Sequence, residues 1–319
     1  MPGTTGGPNS LPQLVDGNAG LRTQFGTIIP PGAHVAAFVC NSAVDWSDQP
    51  YITANLVSTL DAGLKRCRTG RGDYVIVLPG HSESVVDATM LANLKAGSRI
   101  VGIGHGSMRP VFRWTATGSQ WALSVADVLI AGLNLKLEGA NGVVKAILVT
   151  GASSIIAFNK IMVASGATNK ATIALEYGAG SDDFELIANQ FHGTETHNVT
   201  DGVKIVSAVA GGRIEDNEMA FSATAANGNV HYTAAAVRQR VLRNYLYNTH
   251  TASSVALCFD AVAVDGIVSD NRCGCISTGT ATTAVVGIKI GAGVLATFFE
   301  NYVVNDPLKS GLLSPAVDT

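Results

Sequence analysis

The sequence predicts an all-β protein built as a parallel β-helix, a solenoid led by an N-terminal extended arm and a capping α-helix. Two observations carry this expectation. The first is a repeat: an aliphatic residue, two residues, an asparagine, one residue and a second apolar residue, recurring roughly every 28 positions. The second is composition. Hydrophobic residues make up 47% of the 319, aromatic residues only 6%, and there are 35 glycines. A fold whose layers stack on like neighbours fills its core with Val, Ile, Leu and Ala rather than large rings.

The repeat is clearest in Ile156-Ala157-Phe158-Asn159-Lys160-Ile161 and Leu186-Ile187-Ala188-Asn189-Gln190-Phe191. It returns around Asn217, Asn244, Asn271 and Asn301. A weaker copy centres on Asn134, where Lys136 replaces the second apolar residue, and Val101-Gly102-Ile103-Gly104 fits with glycine in place of asparagine. From Asn134 onward the asparagines are 25, 30, 28, 27, 27 and 30 residues apart. The short β-type runs, set off by Gly, Asn, Ser and Thr, are too strand-rich for a helical repeat. One repeat is then one coil. Its aliphatics point inward, and its asparagine takes the bend, where a left-handed backbone is cheap for Asn or Gly. Asn134, Asn159, Asn189, Asn217, Asn244, Asn271 and Asn301 are expected to form a hydrogen-bonded ladder. Seven such rungs and Gly104, at about 4.8 Å each, give a prism roughly 40 Å long.

The arm is residues 1–33, where Pro2, Pro8, Pro12, Pro30 and Pro31 fall among seven glycines. Residues 34–70 follow as a strand, His34 to Cys40, and a helix. Asp45-Trp46-Ser47-Asp48-Gln49-Pro50 supplies cap-type residues and a first-turn proline. Ile52, Leu56, Leu60 and Leu64 then recur every four residues, predicting one helix over about 50–66 that ends at Lys65-Arg66-Cys67-Arg68 and Gly70. It is placed to cover the first sheet edge of the solenoid. The β-helix occupies 71–305 and a C-terminal tail 306–319. The run from Ala281 to Phe299 is long enough for a membrane span, but Lys289 interrupts it, and the alternation of Val286, Ile288 and Ile290 reads as a strand. The first residues carry neither the basic start nor the apolar core of a secretory signal. The expectation is a soluble protein that does not engage membrane.

Lys and Arg number 21 against 24 Asp and Glu, a net charge of −3, which argues against nucleic acid as a partner. Charged residues are 14% and mean hydropathy is +0.26, pointing to sizeable subunit contacts. The odd set Cys40, Cys67, Cys258, Cys273 and Cys275 reads as buried thiols outside any disulfide framework. The Cys273-x-Cys275 pair has no neighbouring Cys or His cluster in sequence to complete a zinc site. The seven histidines show no H-x-x-x-H spacing; His192 and His197 flank a loop, and hydrogen bonding at surfaces or turns is expected of them. Gly102 to Gly106 lacks the following helix of a nucleotide loop. Asn198-Val199-Thr200 is a formal glycosylation acceptor without a secretory route. No nucleophile elbow occurs. No catalytic residue, cofactor or metal is assigned.

One face deserves weighing for glycan chemistry. The residues before successive asparagines are Asp216, Arg243, Asp270 and Glu300. Asp216 and Asp270, two coils apart, are expected near 10 Å, slightly beyond the roughly 6.5–9.5 Å of an inverting carboxylate pair. Arg243 between them makes a stacked acid–base–acid ladder the simpler reading. Tyr245 and Tyr302, which follow their asparagines, are placed to line a groove on the same face.

Leu60-Asp61-Ala62-Gly63-Leu64, the run from Gly70-Arg71-Gly72-Asp73 through Pro79-Gly80-His81-Ser82-Glu83, and Val101-Gly102-Ile103-Gly104-His105-Gly106 with Arg109-Pro110 resemble the opening of a family of phage-type right-handed β-helix proteins, pectate-lyase-like in fold. There a helix leads into a GD-x-hydrophobic-x-PGH-x-E strand and then an IGxGxGxxRPxF turn. The motifs cover roughly residues 50–130, and the remainder matches by rung pattern alone. The resemblance implies a right-handed parallel β-helix in a virion structural protein. The expected version is a homotrimeric capsid decoration or cement protein on a phage head, bound to the major capsid protein through the arm. The alternative is a tail-fibre or tailspike-like β-helix that binds or cleaves host-surface polysaccharide. No catalytic residues are carried over.

Overall fold

The computed structural model describes residues 21–22, 28–29 and 33–305, apart from 43–44, 46, 48–49, 138–140, 167, 194–198, 225–226, 251–254, 261–262 and 276–285. It is a right-handed parallel β-helix with three sheets along one axis. The first sheet runs from Val35–Val39 through Tyr74–Val77, Arg99–Gly102 and a strand of every later coil to Thr297–Phe299. The second runs from Ser82–Val85 to Tyr302–Asn305, and the third from Trp121–Leu123 to Val286–Ile290. The third sheet has seven strands, so among the described residues seven coils are closed on all three sides.

The repeat's first aliphatic is in register from coil to coil on the first sheet: Ile130, Ile156, Leu186, Ile214, Val241, Val268 and Phe298. Its second apolar position stacks on the second sheet as Leu135, Ile161, Phe191, Met219, Leu246, Cys273 and Val303. Both columns are buried until the last coil, where Phe298 is only partly buried and Val303 is exposed. A pleated strand sends alternate side chains inward, so two apolar residues flanking one corner are enough to fix which face is core. Aromatic rings are buried in the lumen at several coils: Tyr177 stacks on Phe184 at 3.8 Å, and Phe112, Trp114 and Trp121 cluster near the N-terminal end.

Between the two columns lies the corner, where the structure corrects three details. The left-handed residue is not the asparagine but the one before it. Gly132, Phe158, Ala188, Asp216, Arg243, Asp270 and Glu300 have φ of 75, 57, 52, 57, 54, 57 and 53°. Each non-glycine there costs about 1–2 kcal/mol. At such a corner the backbone changes partner within three residues. Phe158 N–H donates forward to Ile187 O (3.1 Å), and Lys160 N–H donates back to Leu133 O (2.9 Å). The amide between them goes to a side chain: Asn159 N–H donates to Asn189 Oδ1 at 3.0 Å. Each later step repeats it, Asn189 to Asn217, Asn217 to Asn244, Asn244 to Asn271 and Asn271 to Asn301, at 2.9–3.2 Å. Each Nδ2 returns to the preceding coil, Asn217 to Leu186 O at 2.8 Å and Asn244 to Ile214 O at 2.7 Å. Only one orientation of each amide satisfies both bonds.

Asn134 is not a rung. It is paired with Lys160, one place past the corner, and Leu133 holds the rung position, its N–H donating to Asn159 Oδ1 at 3.0 Å. Leucine suffices there because the preceding coil asks nothing of it: Ile103 N–H already donates to Val77 O at 2.9 Å. Gly104 is likewise no rung. It has φ +124°, and a Cβ there would lie 2.5 Å from Met108 O, so it serves a longer corner through a 3-10 turn at Gly106–Met108. The ladder therefore has six asparagines among the described residues.

The predicted single helix is two. α1 (Pro50–Asn55) and α2 (Leu60–Leu64) are separated by an extended pair, Leu56–Val57, which adds to the edge of the first sheet beside Phe38 and Val39. The reason is that the apolar residues serve opposite faces of that sheet. Ile52 packs outside with Phe38 and Ile76, whereas Leu60 and Leu64 enter the main core with Val39 and Val75. One straight helix cannot reach both faces. Gly63 lets α2 sit against the sheet, since a Cβ there would lie 2.9 Å from Val75 Cγ1. The motif residues brace this end. Glu83 Oε2 accepts from Leu60 N–H at α2's N-terminus (2.9 Å) and meets His81 Nε2 at 3.0 Å. Buried Asp73 accepts from Arg68 N–H (2.6 Å) and from both Nε and Nη2 of Arg71, the latter at 2.7 Å. Of the arm, Leu21–Arg22 and Ile28–Ile29 form an antiparallel pair; apart from these and Ala33, the arm lies outside the described residues, as does the tail 306–319.

Asn217→Ala leaves the buried Asn189 N–H without its acceptor and removes the side-chain bond to Leu186 O, and is expected to lower stability on the order of 3 kcal/mol by urea denaturation. Asn301→Ala, at a half-buried terminal rung, loses about 1 kcal/mol or less. Ala188→Gly relieves the corner and gains up to about 1 kcal/mol; a loss there would contradict the strained-corner account.

Candidate functional site

The outward position after each rung forms a column on the second sheet: Lys160, Gln190, Glu218, Tyr245, Arg272 and Tyr302. At its C-terminal end the surface sinks into a groove of about 730 Å³, lined by Tyr245, Tyr247, Asp270, Arg272, Glu300 and Tyr302, with Gly274 in its floor. Tyr245 and Tyr247 lie nearly parallel, 12° apart with centroids at 6.2 Å. Gly274 is what admits Tyr247: a Cβ at that position would lie 2.7 Å from the ring's Cδ2. Register puts the Arg272 position between those of Tyr245 and Tyr302 on neighbouring coils. Flat rings, carboxylates and a guanidinium on a rigid wall suit a hydroxylated, partly planar ligand, which stacks on rings and hydrogen-bonds to the charged groups.

The sequence-selected face divides here. Asp270, Tyr245 and Tyr302 line the groove, but Asp216 and Arg243 do not. Arg243 is bidentate to Asp216, Nε to Oδ1 and Nη2 to Oδ2 both at 2.8 Å, while Asp270 accepts from the Ser269 hydroxyl at 2.9 Å. The acid–base–acid ladder through Asp216, Arg243 and Asp270 is thus replaced by a network running the other way, into Glu215. That carboxylate is 3% exposed and meets Arg213 (3.0 Å), Arg240 (3.3 Å) and Arg243 (3.4 Å). Arg213 also holds Glu185 at 2.7 Å. Hydrogen bonds to Glu215 and Glu185 hold the Arg213 guanidinium above its ordinary range, and those to Asp216 and Glu215 do so for Arg243. Glu215 is not marked by the rung pattern: it stands two places before its rung and pairs in register with Leu242, while the arginines it meets are Arg213 on its own coil and, four places and one place before the next rung, Arg240 and Arg243.

A second polar cluster lies on the third sheet, where His231 was not expected to be buried. Its Nδ1 is 2.6 Å from Asp201 Oδ1 and its Nε2 is 3.0 Å from Asp260 Oδ2, with Lys204 and Lys289 on the far sides of those carboxylates at 3.2 and 3.4 Å. Burial, the largest influence, pulls the imidazole's pKa down, but the bonds to Asp201 and Cys258 and their charges together push it up to about 10. His231 is therefore no surface or turn residue; paired acids are what admit it to a buried strand. His81 is buried as well, and burial lowers His192; His197 and Asn198 lie outside the described residues. All five cysteines are buried with no disulfide, and Cys273 and Cys275 both face the core. Burial pushes the Cys273 thiol well up.

No protein-family model, curated protein or solved structure matches the chain. No helix among the described residues is long and apolar enough to cross a membrane.

Removing the buried carboxylate by Glu215→Gln leaves three guanidiniums around a neutral amide and is expected to lower stability by about 2 kcal/mol, discounted for the half-exposed arginines. Asp216→Asn, on the exposed rim, should change the urea midpoint far less. Equal losses would contradict the buried-hub reading.

Proposed function

We propose that the chain is a virion structural protein, a rigid β-helical prism that decorates or cements a phage head. The observation that carries the reading is the opening stretch that resembles phage-type β-helix proteins. Its chemistry-bearing residues, Asp73, His81 and Glu83, hold the first coils and α2 together, as the Arg68, Arg71 and Leu60 bonds describe. They serve closure of the solenoid rather than a reaction. In this reading the protein assembles as a homotrimer, and residues 1–33 reach the major capsid protein.

The groove favours a second reading, a tail-fibre-like β-helix that binds or cleaves a host-surface polysaccharide. Asp270 and Glu300 stand one coil apart at its edge, and Tyr245, Tyr247 and Tyr302 line the same groove. Adjacent coils are separated by about 4.8 Å, the spacing class of a retaining carboxylate pair.

Copy number decides between them. Quantitative mass spectrometry of purified particles against the major capsid protein is expected to give hundreds of copies. A few to a few tens would move the protein to the tail, and none would overturn the virion reading. Deletion of residues 1–33 is expected to leave a folded prism that no longer attaches. On a polysaccharide panel, the second reading requires that Tyr302→Ala weaken binding roughly tenfold, about 1.4 kcal/mol, and that Asp270→Asn abolish any reducing-end release. Asp216→Asn, outside the groove, should do neither.

A further inference from the structure

His231 and Cys258 are one coil apart and in direct register across the third sheet, in strands Val230–Tyr232 and Val255–Phe259. Asp260 follows immediately, its N–H donating to Tyr232 O at 3.0 Å. One donor atom from each of the three, an imidazole nitrogen, a thiol sulfur and a carboxylate oxygen, lies within 4.8 Å of the others. We propose that His231, Cys258 and Asp260 bind a single divalent transition-metal ion of the zinc type, leaving a fourth position to water or an outside ligand.

The donor set selects the ion. A nitrogen, a sulfur and an oxygen suit zinc and its borderline-soft neighbours, whereas calcium and magnesium take oxygen almost alone. The second observation is the group behind the histidine. Asp201 is fully buried, and its Oδ1 sits 2.6 Å from His231 Nδ1, so the ring is oriented with Nε2 toward Asp260. A carboxylate on the far nitrogen of a ligating histidine fixes the ring's tautomer and raises its basicity. Lys204, 3.2 Å from the other Asp201 oxygen, holds that carboxylate in turn. His231 and Cys258 also stand on adjacent parallel strands, with Asp260 tied to the same ladder by its N–H, which fixes their spacing before any ion arrives.

Access is from the Asp260 side. Asp260 is 39% exposed, and its Oδ1 is met by Lys289 at 3.4 Å, itself 45% exposed. An ion at Asp260 displaces that ammonium into solvent, and the Nε2 and thiol protons leave as it binds. The three ligands form no local motif because the solenoid brings residues a whole repeat apart into contact.

The test uses the full chain, freed of metal with a chelator and titrated with Co²⁺ as a spectroscopic probe. One equivalent is expected to give the intense ligand-field bands of a four-coordinate ion and a thiolate-to-cobalt charge-transfer band, both erased by one equivalent of Zn²⁺. Cys258→Ser should lose the charge-transfer band while Cys67→Ser keeps it, and Asp201→Asn should weaken binding about 10–100-fold. If a variant fails to fold by circular dichroism, X-ray absorption of the zinc-loaded wild type decides: it should show one sulfur at about 2.3 Å among N/O ligands at about 2.0–2.2 Å. No stoichiometric uptake, or a zinc shell without sulfur, overturns the proposal.

Discussion

Everything in this molecule depends on how the backbone turns from the first sheet to the second. The turn is made by one left-handed residue, which in five of the seven coils that have it is a side-chain-bearing residue other than alanine or glycine. That conformation is unfavourable, and it swings one amide away from the backbone ladder. The asparagine side chain compensates by standing in for a carbonyl, and its own amide group reaches back one coil. The bond is not local. It exists only when the next coil is already in place, so corner, register and stacking are satisfied together or not at all. This is why the inward columns of Val, Ile, Leu and Phe stay aligned over seven coils with no disulfide and few large rings.

The period and the inward columns were legible because they repeat in one dimension. A residue that is aliphatic in every coil up to Phe298, and from Ile156 onward stands three before an asparagine, leaves little freedom for register. The first rung was not legible. Asn134 fits the pattern by type, yet it stands one place past the corner of a coil that is otherwise in phase; Leu133 fills the rung, where no side-chain acceptor is needed because Ile103 N–H bonds Val77 O. The helix was misread for a similar reason. A spacing of four is the same whether the residues face one side of a helix or two sides of a sheet edge, and Leu56–Val57 takes the second course.

Of the candidate surface, the tyrosines and Asp270 were visible as positions flanking rungs, and the groove does gather them. Glu215 and the His231 cluster were not visible, because their partners lie a repeat away at offsets the rung pattern does not mark. The same stacking that builds the core is what assembles these polar groups. On a solenoid, residues of one column meet at a spacing of about 4.8 Å, so a constellation can be written with one residue per coil. The groove on the second sheet and the histidine cluster on the third are two uses of that rule on different faces of one rigid prism.

The ladder itself is tested most directly by native-state hydrogen exchange. The backbone amides of Leu133, Asn159, Asn189, Asn217 and Asn244, although they sit at corners, should exchange as slowly as the central strand amides on either side. Exchange at these positions at the rate of exposed turns, with the flanking strands still protected, would contradict the account.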